Sequence, residues 1–361
     1  MDNDHKDPRL RCFIDDYLDK YDVICLQEMF GAFSRRRKRL IKAAKKRGFH
    51  WKVSSPQSRS SMYLVDGGCL ILSRVKVVAE ASVIFEPGMM SDRLAAKGVI
   101  YAKLNPRPDT FVHLFVTHLQ AVYAGSDAAA ADCLAIQKRQ YDELVQFIAS
   151  TVAANESAED MLVAERLVDR KQRKEAPMQT MMHTRRCRRW PIVLAGDFNC
   201  NSRPSAGDVS TVTTKPYSDL THALAKLGDF SDVFYDNLGE HPVTYAAADF
   251  DIHGVFSPRE TALTAPEDYH ESGEWVNQSL DYVFLFPPTY EQLKRRLAEQ
   301  SDSPMSPASP DSRALRSSVL RPSEVTVRHL DFVRKPHEAA NSLKFLSDHM
   351  ALETVFAVNH E

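Results

Sequence analysis

Residues 190–203 read WPIVLAGDFNCNSR. Ile192, Val193 and Leu194 suit a buried strand, yet the run ends in a carboxylate, an aromatic and an amide at Asp197, Phe198 and Asn199. An unpaired carboxylate at the end of a core strand is costly, so Asp197 requires a partner, water or a cation. A turn cap would explain one such ending, because Asp and Asn are ordinary turn residues. Other apolar strands behave the same way. YDVICLQE ends in Glu28, FVHLFVTHLQ delivers His118, and NQSLDYVFLF carries Asp281 just inside its start. FLSDHMALETVF places Asp348 and His349 immediately before its apolar run. Repetition of this pattern predicts one shared site at the rim of a layered sheet, where strand ends and loops commonly build function.

The residue types narrow the chemistry. Glu28, Asp197, Asn199, Asp281 and Asp348 offer hard oxygen donors, and His118 and His349 offer imidazoles. Oxygen donors without cysteine favour Mg2+, Mn2+ or Ca2+ over zinc. Mg2+ is usually held by one or two carboxylates together with water and substrate phosphate, so most of these acids need not be ligands. A histidine beside an aspartate suits a general base whose tautomer is fixed by a second carboxylate. Metal, imidazole base and amide donors together suit hydrolysis of a phosphate ester.

The bulk properties set limits. The chain has 361 residues, 43% hydrophobic and 26% charged, with a net charge of −2. Nothing in that balance requires nucleic acid, so any polyanion contact must be local. Six cysteines include no CxxC pair, and Cys25, Cys69 and Cys200 lie in or beside apolar segments. Free thiols in a reducing compartment fit better than a disulfide framework. The polar start MDNDHKDPRLRCF is not a signal peptide, and no apolar stretch reaches the ~18 residues of a membrane span. The expectation is an intracellular protein, soluble or peripherally attached to a membrane.

Strands are expected at YDVICLQ, GGCLILS, KVVAEASVIF, KGVIYAKL, TFVHLFVTH, PIVLAG, SLDYVFLF, EVTVRHLDF and ALETVFAV, each short and bounded by turn residues. Helical spacing appears at 9–20, 34–47, 126–152 and 217–227, with a separate short helix near 158–170. Residues 153–189 are charged and Met-rich, and 300–325 are dense in Ser and Pro. Both read as mobile insertions within a single domain spanning 1–361.

LQE at 26–28, THLQA at 117–121, GDFN at 196–199, LDY at 280–282 and SDH at 347–349 together resemble the endonuclease/exonuclease/phosphatase superfamily, the DNase I-like fold. The resemblance runs from about residue 9 to residue 357, interrupted by the two insertions. It implies an α/β two-sheet sandwich flanked by helices, with the site at one end. It further implies Glu28 as the Mg2+ ligand (Mn2+ as an alternative ion) with Asp348 close to the metal, and His349 as the base oriented by Asp281. Asp197 and Asn199 would orient the nucleophile or leaving group and bind the phosphate, and His118 would donate to a phosphoryl oxygen. The family also begins with a strand that is not evident here, and Asn3, in the polar tail, is given no role.

Within the superfamily the chain is similar to the neutral sphingomyelinase branch. The carriers are THLQA followed by VYAG and QKRQYDELVQFI, SDRLAAKGVIYAKL, and HPVTYA before SLDYVFLFPP. The second segment holds Asp92 and Lys97, which the resemblance associates with substrate engagement; a plain surface pair is the alternative. Nearby Val83, Ile84, Phe85, Met89 and Met90 suit either a bilayer edge or core packing. The run SRRRKRLIKAAKKRGFHWK carries Arg35, Arg36, Arg37, Lys38, Arg39, Lys42, Lys45, Lys46, Arg47 and Lys52. It suits peripheral docking on anionic lipid, with a solvated helix face or nucleic acid as alternatives. The implied activity is Mg-dependent hydrolysis of membrane sphingomyelin to ceramide and phosphocholine. An inositol-phosphate phosphatase or nuclease of the same fold, or a non-catalytic lipid-binding relative, remain the alternatives.

Overall fold

The computed structural model describes residues 6–57, 62–122, 127–171, 190–203, 213–246, 248–250, 256–258, 277–288, 320–328, 347 and 349–358. In chain order its strands are β1 (Val23–Leu26), β2 (Trp51–Ser54), β3 (Val65–Asp66), β4 (Leu70–Ser73), β5 (Lys76–Ile84), β6 (Ala95–Ala96), β7 (Gly98–Arg107), β8 (Thr110–His118) and β9 (Ile192–Asp197). They continue as β10 (Ser231–Asp232), β11 (Tyr245–Ala246), β12 (Ala248–Phe250), β13 (Phe256–Pro258), β14 (Asn277–Gln278), β15 (Asp281–Phe286), β16 (Leu320–Arg328) and β17 (Ala351–Val358). The helices are α1 (Lys6–Cys12), α2 (Arg36–Lys46), α3 (Asp127–Lys171), α4 (Lys215–Leu224) and α5 (Val233–Leu238).

Two sheets carry the architecture. One has six strands in the order β10-β15-β9-β8-β7-β5, and the other has three in the order β1-β4-β2. Alternation along each central strand assigns its faces. Ile100, Ala102, Val112, Leu114, Val116, Val193, Val283 and Leu285 of the larger sheet pack against Val53, Cys69 and Ile71 of the smaller one, closing the space between the sheets. The hairpin β16–β17 adds Val325, Val327, Leu352 and Phe356 to that layer. The opposite face of the larger sheet, with Tyr101, Phe115, Leu194, Phe284 and Phe286, is covered by Tyr141, Leu144 and Ile148 of α3 and Leu220 and Leu224 of α4. The outer face of the smaller sheet, with Ile24, Leu70 and Leu72, is covered by Leu10 of α1 and Leu40 and Ala44 of α2. The result is the helix–sheet–sheet–helix sandwich anticipated from the sequence.

Some expectations need revision. The 126–152 helix does not stop and restart near 158; α3 runs unbroken to Lys171. Residues 172–189 lie outside the described residues, as do 300–319, while the rest of the supposed 300–325 insertion enters strand β16. The 9–20 segment is α1 followed by a wider turn at Phe13–Tyr17 and a tighter one at Leu18–Lys20. Phe85 is core, packed with Val99, Tyr101 and Phe115, so it does not face a bilayer. Asn3 lies outside the described residues.

Gly196 is the residue that lets β9 reach its terminal carboxylate. Its φ is +148°, and a Cβ there would lie 2.1 Å from the carbonyl oxygen of Thr117 on β8. Gly196→Ala should therefore cost about 3 kcal/mol by forcing apart two central strands. A chemical denaturation curve unchanged by the substitution would contradict that close approach.

Candidate active site

Strand registry assembles the site before any side chain is considered. Gly98 on β7 pairs with His118 on β8, His118 pairs with Asp197 on β9, and Asp197 pairs with Asp281 on β15. These residues form one row across four neighbouring strands at a single edge of the large sheet. Val116, Val193 and Val283 face the other sheet, and the period of two puts His118, Asp197 and Asp281 on that same face. The row therefore closes one end of the space between the sheets.

His349 joins this row from the other layer. Its backbone bridges Tyr245, and its ring lies 5.2 Å from the Tyr245 ring, centroid to centroid. Its Nδ1 is 2.8 Å from Oδ2 of Asp281. With Nδ1–H donated to the carboxylate, the basic lone pair belongs to Nε2. Asp197, Asp281 and His349 each offer a ligand atom within 4.8 Å of the others, so the trio has the donors and spacing to hold a cation. His118 Nε2 lies 3.5 Å from Asp197 Oδ2.

The electrostatics favour an added positive charge. Burial, then the facing charge of Asp281, pushes the Asp197 carboxyl up to about 7. Like charges directly opposite on adjacent strands repel, and a cation between them relieves both. Burial, then Lys97 and His349, holds His118 well below the ordinary imidazole range, so its ring is neutral at neutral pH.

Loops fasten the remaining candidates. Asn199 adopts a left-handed φ of +49°; its backbone N–H donates to Asp197 Oδ1 at 2.8 Å, and its side-chain Nδ2 donates to the Leu119 carbonyl at 2.9 Å. Asp92 and Lys97 are a buried pair, not a surface one: Lys97 Nζ lies 2.8 Å from Asp92 Oδ1 and donates to the Leu119 carbonyl at 2.8 Å. Glu28 follows β1 with a left-handed φ of +56° and is exposed. It is not in the trio of converging ligand atoms found among the described residues, and Asp348 lies outside the described residues.

Three positioning groups escape sequence reading. Buried Thr244 accepts through Oγ1 from the N–H groups of Leu280 and Asp281, and its carbonyl accepts from Met350 N–H. It thereby stitches the LDY and SDH segments together; HPVTYA marks the place but not the bonds. Gln137 Nε2 donates to the carbonyls of Gln120 and Asn199, and Gln140 Oε1 accepts from Gln120 N–H, which locks α3 to the two loops of the site. The glutamines of QKRQ are visible in the sequence, but their burial on the sheet-facing side is not.

Because Asp197 titrates near 4 when unfolded and about 7 when folded, the native state holds its proton more tightly. Through this group, metal-free stability should fall as pH rises from about 4 to 7. Asp197→Asn removes that contribution, so its stability should fall less between pH 5 and pH 8 than the parent's. Thermal melts of the two chains in EDTA check this, and parallel pH slopes would contradict the buried, repelled carboxylate.

No protein-family profile matches the chain. It is 29% identical to a sphingomyelinase of Dictyostelium discoideum over 363 aligned residues, covering 95% of this chain and 73% of that protein. Among solved structures it is similar to sphingomyelinase C from Streptomyces griseocarneus, with TM-score 0.53, 18% identity, and coverage of 96% and 91% of the two chains. It is also similar to a beta toxin variant from Staphylococcus aureus crystallised with bound magnesium ions, with TM-score 0.53, 17% identity, and coverage of 97% and 92%. At such identities the solved structures establish the fold. The chain is thus similar along nearly its whole length to a sphingomyelinase, and it shares its fold with solved sphingomyelinase structures.

Proposed function

We propose that this chain is a divalent-cation-dependent phosphodiesterase that hydrolyses sphingomyelin to ceramide and phosphocholine. The observation that carries the reading is the convergence of Asp197, Asp281 and His349 at one sheet edge, in a chain similar over 95% of its length to a sphingomyelinase. In this reading His349 Nε2 takes a proton from water while Asp281 holds the ring by Nδ1. The water oxygen bonds to phosphorus, the bond from phosphorus to the ceramide oxygen breaks, and that oxygen takes up a proton. Asp197 and Asn199 orient the nucleophile or leaving group and bind the phosphate, and neutral His118 donates one N–H to a phosphoryl oxygen. Asp92 and Lys97 engage the substrate from the adjoining loop. Glu28 and Asp348, with the carboxylates of the row, would hold Mg2+ (or Mn2+), which supplies positive charge against the phosphoryl oxygens.

A lipid-surface location fits the rest of the chain. No helix among the described residues is long and apolar enough to cross a membrane. On α2 and its cap, Arg35, Lys38, Lys42, Lys45 and Lys46 form an exposed stripe, whereas Arg39 and Arg47 are paired with acids. Phe33, 91% exposed, and Trp51, 37% exposed, flank the helix. Cations with interfacial aromatics suit an anionic lipid surface, at about 1 kcal/mol per basic residue. Flotation should be stronger on vesicles containing phosphatidylserine than on neutral ones; equal flotation excludes this surface as the anchor.

The activity test is phosphocholine release from sphingomyelin in mixed micelles. Mg2+ should support release, EDTA should abolish it, and His349→Ala should lower it about a thousandfold. Absence of release from the parent chain, with phosphate freed from an inositol phosphate or breaks made in nucleic acid, would replace the substrate and keep the fold's chemistry.

A further inference from the structure

Arg37 stands in the middle of the basic run, yet it does not belong to the cationic face. Its side chain is 12% exposed, and its Nη1 lies 3.1 Å from Oδ1 of Asp66, whose side chain is 1% exposed. Asp66 accepts two further hydrogen bonds, from Gly31 N–H at 2.9 Å and from Gly68 N–H at 3.0 Å. One buried carboxylate therefore joins the loop after β1, the loop before β4 and the first turn of α2.

Both glycines are shaped around this arrangement. A Cβ on Gly31 would lie 1.8 Å from a guanidinium nitrogen of Arg37. Gly68 has φ +71°, and a Cβ there would lie 2.9 Å from the Phe30 ring and 3.0 Å from Cα of Glu28. Gly68 also accepts Met29 N–H at 2.9 Å. Glu28 thus immediately precedes two attachments to the 66–68 segment, at Met29 and Gly31, and its left-handed backbone breaks the strand alternation at the end of β1. The same segment borders the other half of the site. Asp66 pairs with Ala96 in the β3–β6 ladder, one residue before Lys97, and the thiol of Cys69 feels the charges of Lys97 and Asp197.

We propose that Asp66, charge-paired with Arg37, is the positioning residue that holds Glu28 in place to ligate the divalent cation. This rests on the reading of Glu28 as a cation ligand. Asp66→Asn turns one acceptor into a donor at constant volume, and Arg37→Met removes the charge while keeping much of the stem. Gly31→Ala reaches the same pair from a different side by displacing the guanidinium. Arg37→Lys keeps a positive charge without the planar fork.

The experiment combines Mn2+ binding by calorimetry with hydrogen–deuterium exchange over residues 26–33, on the full chain, with a thermal melt to establish that each variant is folded. Asp66→Asn, Arg37→Met and Gly31→Ala should each bind Mn2+ at least tenfold more weakly and exchange faster over 26–33. Arg37→Lys should recover part of both. Unchanged exchange overturns the proposal whatever the Mn2+ affinity. Faster exchange with parental Mn2+ affinity overturns it too, because the loop would then be loosened without consequence for the cation. If the parent takes up no Mn2+, the cation reading itself falls and Asp66 has no ligand to position; exchange over 26–33 then reports only on its hold over the loop.

Discussion

Two carboxylates face each other across adjacent central strands, and much of the site is an answer to that placement. Asp197 and Asp281 are register partners on β9 and β15, near the middle of the six-stranded sheet. Like charges in that position oppose folding unless one is protonated or a cation lies between them. Burial first, and then this conflict, raises the titration of Asp197 in the metal-free protein. A cation there would resolve it and, in the proposed reaction, would bring positive charge to the place where a phosphodiester gains negative charge in its transition state.

The sandwich makes such a placement tolerable. The strands bearing the row are buried on both faces, by the second sheet on one side and by α3 and α4 on the other. Their backbones are fixed by neighbours, so strained or repelled groups at their ends persist. Gly196 lets β9 approach β8, Thr244 holds the start of β15, and Gln137 and Gln140 hold the loops at the ends of β8 and β9. Lys97 donates to the Leu119 carbonyl at the same edge and pairs with Asp92.

Much of this was legible because apolar runs ending in polar residues are rare enough to notice and common enough here to compare. Each of the nine expected strands overlaps an observed one, although the last four residues of EVTVRHLDF lie outside the described residues, and the sandwich is what the family resemblance implied. β2 was missed because WKVS is short and follows a basic helix, so it reads as the tail of that helix. The two-residue strands carry no periodic signal at all. Burial of Asp92, Lys97, Arg37 and Asp66 was also illegible: a charge is read as exposed until its partner is known, and each partner lies on another element. Only the fold distinguishes Arg37, turned inward, from Lys38, turned out. The long helix α3 passes through a charged segment that composition alone assigns to a loop.

The central claim is that water, activated at His349 beside this carboxylate row, attacks phosphorus. The most direct measurement is the fate of oxygen-18 from labelled water during sphingomyelin turnover in Mg2+, read by mass spectrometry of both products. One labelled oxygen in phosphocholine and none in ceramide is the result this account expects. Label in ceramide would mean that the bond on the carbon side breaks, and would contradict it.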